Sequence, residues 1–181
     1  MMELDVYIDD MAHVVKSTCC DYVKEAFAME IEWSPYMDLQ QEDGYLACKI
    51  RFLNPQHDFL LGREFFSGCE VYPAVYCYEQ EKQRRGLGEA AYLFAPPIDR
   101  ILAKCRHVLN ISWNQGDTLE YRAALSLAAY LTDCCQGVTR DCQSGACFCH
   151  HVLPRFAKMV QNYEERILPA DFHLLEFREW L

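Results

Sequence analysis

The chain has 181 residues, of which 51% are hydrophobic, and a formal net charge of −10. That length fits a single domain, 1–181, and that apolar share supplies a core, which excludes an intrinsically disordered chain. The acids are spread from Glu3 and Asp5 to Glu176 and Glu179; they repel nucleic-acid phosphates and favour a basic protein as partner.

No apolar run reaches the roughly 18 residues of a membrane span. The opening Met1-Met2-Glu3-Leu4-Asp5 is acidic and lacks an apolar signal core, so a cytoplasmic location is expected. The eleven cysteines are odd in number and irregularly spaced. That is no disulfide framework; reduced thiols behaving as small buried hydrophobes are expected.

Leu4, Val6 and Ile8 alternate with Asp5, Tyr7 and Asp9, which predicts a half-buried strand. Asp9 or Asp10 then caps a helix with Met11, Val15, Thr18, Cys19, Tyr22, Ala26 and Phe27 on one side. Ile31-Glu32-Trp33 predicts a short strand before Pro35. The turn Glu42-Asp43-Gly44 leads to a stronger one, with Leu46, Cys48, Ile50 and Phe52 facing one way and Tyr45, Ala47, Lys49 and Arg51 the other. Asn54-Pro55 closes it. Residues 56–68 read as a loop carrying Phe65-Phe66. Cys69 to Tyr78 is β-rich, and Pro73 calls for an edge or a bulge. Glu79 to Arg85 reads as a charged connection, and Glu89 to Phe94 as a helical turn or two. Pro97 suits the first position of a helix through Cys105.

The stretch His107 to Phe148 organises the rest. It predicts a buried strand, His107 to Trp113, the polar turn Asn114-Gln115-Gly116, and a central buried helix at about 118–135. Asp117 and Glu120 cap that helix. Leu119, Ala123, Leu127, Leu131 and Cys134 follow at helical spacing, leaving Arg122, Ser126, Thr132 and Asp133 as a thin polar edge. So apolar a helix serves as core or as the platform for a binding surface. Gly137 ends it in the left-handed conformation, and a hairpin follows through Asp141 and Ser144 to Phe148. Leu153, Phe156, Val160, Tyr163 and Ile167 mark one more amphipathic helix, and the aromatic tail Phe172 to Leu181 docks on the body. The fold class is therefore α/β (α+β): a mixed, largely antiparallel sheet with packed helices.

Three patterns bear on chemistry. Cys142, Cys147, Cys149, His150 and His151 crowd together after Cys134 and Cys135. A structural zinc site shows two separated ligand pairs, and the second pair is missing here, so no metal is expected. No spacing selects a catalytic thiol, and no catalytic residue is assigned. The third is Gln83-Arg84-Arg85-Gly86-Leu87-Gly88, which resembles the acyl-coenzyme A pyrophosphate loop of the N-acetyltransferase superfamily. That resemblance implies acetyl-CoA as cofactor, held by Gln83, Arg84, Gly86 and Gly88. The alternative is an exposed basic turn.

The block Ile111-Ser112-Trp113, Glu120-Tyr121-Arg122-Ala123-Ala124, Gly137 and Asp141 to Gly145 resembles the small immunity proteins of bacterial toxin systems. That resemblance implies a non-enzymatic antitoxin without a cofactor, binding a cognate, basic toxin protein. Asp117, Glu120, Asp133 and Asp141 are then the candidate contacts for toxin Lys and Arg. Their alternative roles are structural: two caps, a solvated helix edge and a turn.

Overall fold

The structure, a computed structural model, describes residues 1–38 and 44–180. Its sheet follows from period-two alternation. In β1 (Met2–Ile8), Leu4, Val6 and Ile8 are buried on one face. β2 (Met29–Trp33), β3 (Gly44–Phe52), β4 (Glu64–Val75) and β5 (His107–Trp113) repeat the pattern, turning Ile31, Cys48, Cys69 and Ile111 into the same core. β6 (Val138–Asp141), β7 (Cys147–Phe148) and β8 (Leu175–Glu176) complete eight strands among the described residues. Their order is β2-β3-β4-β5-β1-β6-β7, with β8 on β4, and every pairing of these strands is antiparallel.

β4 is where the sequence misleads. The expected loop with Phe65-Phe66 is its first half: Phe65 enters the core and Phe66 the opposite face. Gly68 and the paired aromatics hide the alternation. Among the described residues Pro73 has a strand neighbour on one side only, β5, since the described β3–β4 pairing reaches only to Gly44 with Val71. That half-edge is where a missing amide is tolerated. The expected turn at Glu42-Asp43 lies outside the described residues, as does the terminal Leu181.

Helices differ mainly at their starts. Asp10 caps only a 3-10 turn, Met11–His13, accepting from the Ala12 amide at 2.9 Å. α1 (Lys16–Val23) begins after Val15 without a side-chain cap. The expected charged connection is α2 (Tyr78–Arg84), stabilised along one face by Glu81 paired with Arg84 and Arg85. Residues 89–94 form no helix. α3 (Pro96–Leu102) takes both prolines in its first turn and stops short of Cys105.

Asp99 holds the start of α3. Its carboxylate accepts the amides of Leu93, Phe94 and Ala95 and the Tyr78 hydroxyl at 2.6–3.0 Å. Burial opposes the charge, but these four donors outweigh it and hold the carboxyl below its usual range. A depressed folded value stabilises above the ordinary carboxylate range, and that stability is lost as pH falls through it. Asp99→Asn is expected to cost about 1.5–3 kcal/mol near neutral pH. Urea titrations should show the gap to the parent closing at strongly acidic pH.

α4 (Thr118–Cys134) lies against β1, β4, β5 and β6, and between α1 and α5 (Leu153–Glu164). Leu125 to Thr132 are all buried. The thin polar edge is not solvated along most of its length. Ser126 Oγ donates to the Ala123 carbonyl, Thr132 Oγ1 to the Ala128 carbonyl, and Arg122 is buried in an ion pair with Glu164. Gln136, not Gly137, takes the left-handed conformation, with φ 52°. Gly137 serves close approach instead, since a Cβ there would lie 2.5 Å from the Tyr7 carbonyl oxygen.

The opposite face of the sheet is covered only in part. α3 seals Tyr7, Leu102, Cys105 and Val138 in a second, smaller core. Beyond it run exposed ion pairs: Lys49 with Glu32 and Glu64, Arg51 with Glu30, and Arg63 with Glu176. The tail docks as expected. Phe172 is buried against His57 and Phe59, and the Phe177 amide donates to the Glu64 carbonyl at 2.9 Å. Among the described residues no helix is long and apolar enough to cross a membrane.

Candidate functional site: an acidic mouth at the start of α4

Among the described residues, one edge of β4 is open in its middle. β8 covers Phe65 and Phe66, and β5 covers Glu70 to Val75, so Ser67 to Cys69 have neither neighbour there. A cavity of about 370 Å³ opens at this gap, between the tail and the first turn of α4. Its lining is Tyr45, Phe66, Ser67, Asp117, Leu119, Glu120 and residues 173–175 of the tail.

The aromatic wall depends on a glycine. Tyr45 and Phe66 stack with ring centroids 6.4 Å apart and planes at 27°. The Tyr45 ring lies over Gly68, where a Cβ would come within 2.8 Å of it. Ser67 is 4% exposed, and its hydroxyl has no hydrogen-bond partner among the described residues.

Asp117 and Glu120 fulfil the capping roles expected of them, each with one oxygen. Asp117 Oδ1 accepts the amides of Leu119 and Glu120 at 3.0 and 2.9 Å. Glu120 Oε2 accepts the Asn114 amide at 2.7 Å and its side-chain Nδ2 at 2.9 Å. The second oxygen of each makes no hydrogen bond among the described residues. Burial pushes the Glu120 carboxyl up; the two Asn114 bonds oppose this, the Asp117 and Glu70 charges add to it, and the value stays raised because burial is the largest effect. Partial burial and the Glu120 charge push the Tyr45 hydroxyl well above the ordinary tyrosine value. No Lys or Arg lines the cavity among the described residues.

The other two candidate acids are elsewhere. Asp133 lies sixteen residues along α4, about 24 Å from Asp117. It holds the start of α5, accepting the amides of Val152 and Leu153 and the Tyr22 hydroxyl at 2.7–3.1 Å. Asp141 organises the hairpin turn, accepting the Gln143 amide at 2.9 Å and the Ser144 hydroxyl at 2.6 Å. Of the four, the fold brings only Asp117 and Glu120 together. Sequence reasoning missed Tyr45, Phe66 and Ser67, because their meeting depends on strand register and on the tail's path.

The glycine stretch follows a helix rather than a strand. Gln83 and Arg84 are the last residues of α2, and Gly86 turns the chain with φ 68°. The Gly86 and Leu87 amides donate to the Gln83 and Lys82 carbonyls, both at 2.9 Å, closing α2. Turns and bends lead from Gly88 to α3, the Ala91 amide donating to the Gly88 carbonyl at 3.0 Å.

The cysteines are all free thiols. Burial raises Cys142 to about 12, and raises Cys147 and Cys149 as well, away from the reactive thiolate. Cys147 and Cys149 pack beside the second core, while His150 and His151 are exposed. Among the described residues no three His, Cys, Asp or Glu side chains are placed to hold a metal ion. Compared with protein-family models, curated proteins and solved structures, the chain matches none.

Proposed function

We propose that the chain is a non-enzymatic acidic binding protein of the cytoplasm, an immunity protein that neutralises a cognate bacterial toxin by direct contact with a basic surface. The observation that carries this reading is the mouth at the start of α4: Asp117 and Glu120 share a cavity lined by no Lys or Arg among the described residues. The net charge of −10 adds a long-range field that draws a basic partner in. Eleven free thiols suit a reducing compartment.

The test is co-purification with the basic toxin encoded beside the gene, followed by association kinetics at several salt concentrations. A stable complex is expected, with an association rate that falls steeply as salt rises. No complex with that toxin would count against the proposal. Saturable acetyl-CoA binding that is lost in Gly86→Asp and Gly88→Asp variants would favour the acyltransferase alternative.

A further inference from the structure

We infer that the cavity between the tail and the start of α4 receives one arginine side chain from the partner, an inference that rests on the binding-protein reading above. Two carboxylates from adjacent positions of one helical turn approach the cavity, each already fixed by its backbone role. The fixation matters: neither acid loses much conformational freedom when a cation arrives. Each keeps an oxygen without a hydrogen bond among the described residues. The stacked pair Tyr45–Phe66 supplies a flat wall.

A guanidinium matches this set better than an ammonium. It is planar, so it lies against aromatic faces, and its five donors spread in a fork that reaches several acceptors at once. The buried Ser67 hydroxyl supplies the independent sign that something is missing. Native structures leave few buried polar atoms unpaired. Ser67 lines the cavity, and a guanidinium N–H that shifted the wall enough to reach the hydroxyl, which has almost no accessible surface of its own, would give it the hydrogen bond it lacks among the described residues. Four other cavities among the described residues lack this combination. The larger one near Arg122 and Glu164 is bordered by a cation and an anion that already satisfy each other.

The probe is ethylguanidinium, titrated into the full chain and followed by amide nitrogen–proton NMR. Ethylammonium and the neutral, equally flat ethylurea serve as comparisons. Saturable shifts confined to Ser67, Leu119, Glu120 and His173 are expected with ethylguanidinium. Ethylammonium should bind about tenfold more weakly, and ethylurea should leave the spectrum unchanged. Asp117→Asn keeps the cap, since Asn caps as well as Asp. Combined with Glu120→Gln, it should weaken ethylguanidinium by at least about tenfold. Equal shifts with ethylurea, ethylammonium binding as tightly, or shifts centred on the Glu30–Glu64 strip would overturn the inference. The two proposals fail separately. Ethylguanidinium binding without any toxin complex would remove the immunity function and leave the cavity assignment. A toxin complex indifferent to Asp117→Asn with Glu120→Gln would do the reverse.

Discussion

Replacing Arg122 by alanine is expected to lower the stability of the fold by about 3–5 kcal/mol, because it leaves Glu164 buried and unpaired. Arg122 Nε and Nη2 meet the two Glu164 oxygens at 2.8 and 2.5 Å, and Nη1 donates to the Phe27 carbonyl at 2.5 Å. The guanidinium also lies 4.8 Å from the Phe52 ring centroid. The two side chains are only 8% and 7% exposed. The pair thus ties α4 to α5 and to the turn before β2 through one desolvated contact. The exposed pair Arg51–Glu30 is a useful contrast, as such surface pairs contribute about 0–1 kcal/mol. Urea unfolding checks both: Arg122→Ala should shift the midpoint strongly and Arg51→Ala little. The double change Arg122→Met with Glu164→Leu should recover much of the loss, since it removes both buried charges together. A double variant as unstable as Arg122→Ala would mean that lost packing, not the stranded carboxylate, sets the cost.

Gly68→Ala is the second large effect. Gly68 pairs with Ala47 in the β3–β4 ladder, and an added methyl would collide with the Leu46 carbonyl oxygen and with the Tyr45 ring. The carbonyl belongs to the strand backbone and cannot step aside alone. Overpacking of this kind costs about 1–3 kcal/mol, and contact with backbone places this site at the upper end. Displacing Tyr45 would also remove the cavity's aromatic wall. The variant should therefore unfold at lower temperature and bind ethylguanidinium more weakly even where it remains folded. Gly88→Ala is the control. Apart from its chain neighbours, nothing among the described residues lies within 4 Å of a Cβ built there, so its stability should stay within about 0.5 kcal/mol of the parent.

Much of the architecture is legible in residue spacing. Leu4-Val6-Ile8 and Leu46-Cys48-Ile50-Phe52 alternate cleanly and form β1 and β3. The 3- and 4-residue steps from Leu119 and from Leu153 give α4 and α5, and the caps of α4 fall where an acid precedes an apolar run. What escaped is what spacing does not encode. The first half of β4 carries adjacent aromatics and a glycine, so its period vanishes. α2 lacks an apolar stripe and is supported instead by charges three and four residues apart. Arg122 looks like a solvated edge until Glu164, far along the chain, comes to meet it. Of the candidate acids, the two caps were readable in role but not in company. The cavity beside them exists because β5 and β8 stop short of each other on β4, and only the register reveals that.

The lateral borders of the sheet bear on how recognition could evolve. β2 is five residues long and turns Glu30 and Glu32 outward, while β7 has only two residues. Borders this short, the β2 one also charged, give a foreign strand few amides to zip onto, which discourages runaway polymerisation. On the proposed function, a partner would be recognised at these borders by side chains rather than by backbone. Side chains around a mouth can be exchanged a few at a time while the scaffold beneath keeps its shape. A new specificity would then cost a handful of substitutions rather than a new fold.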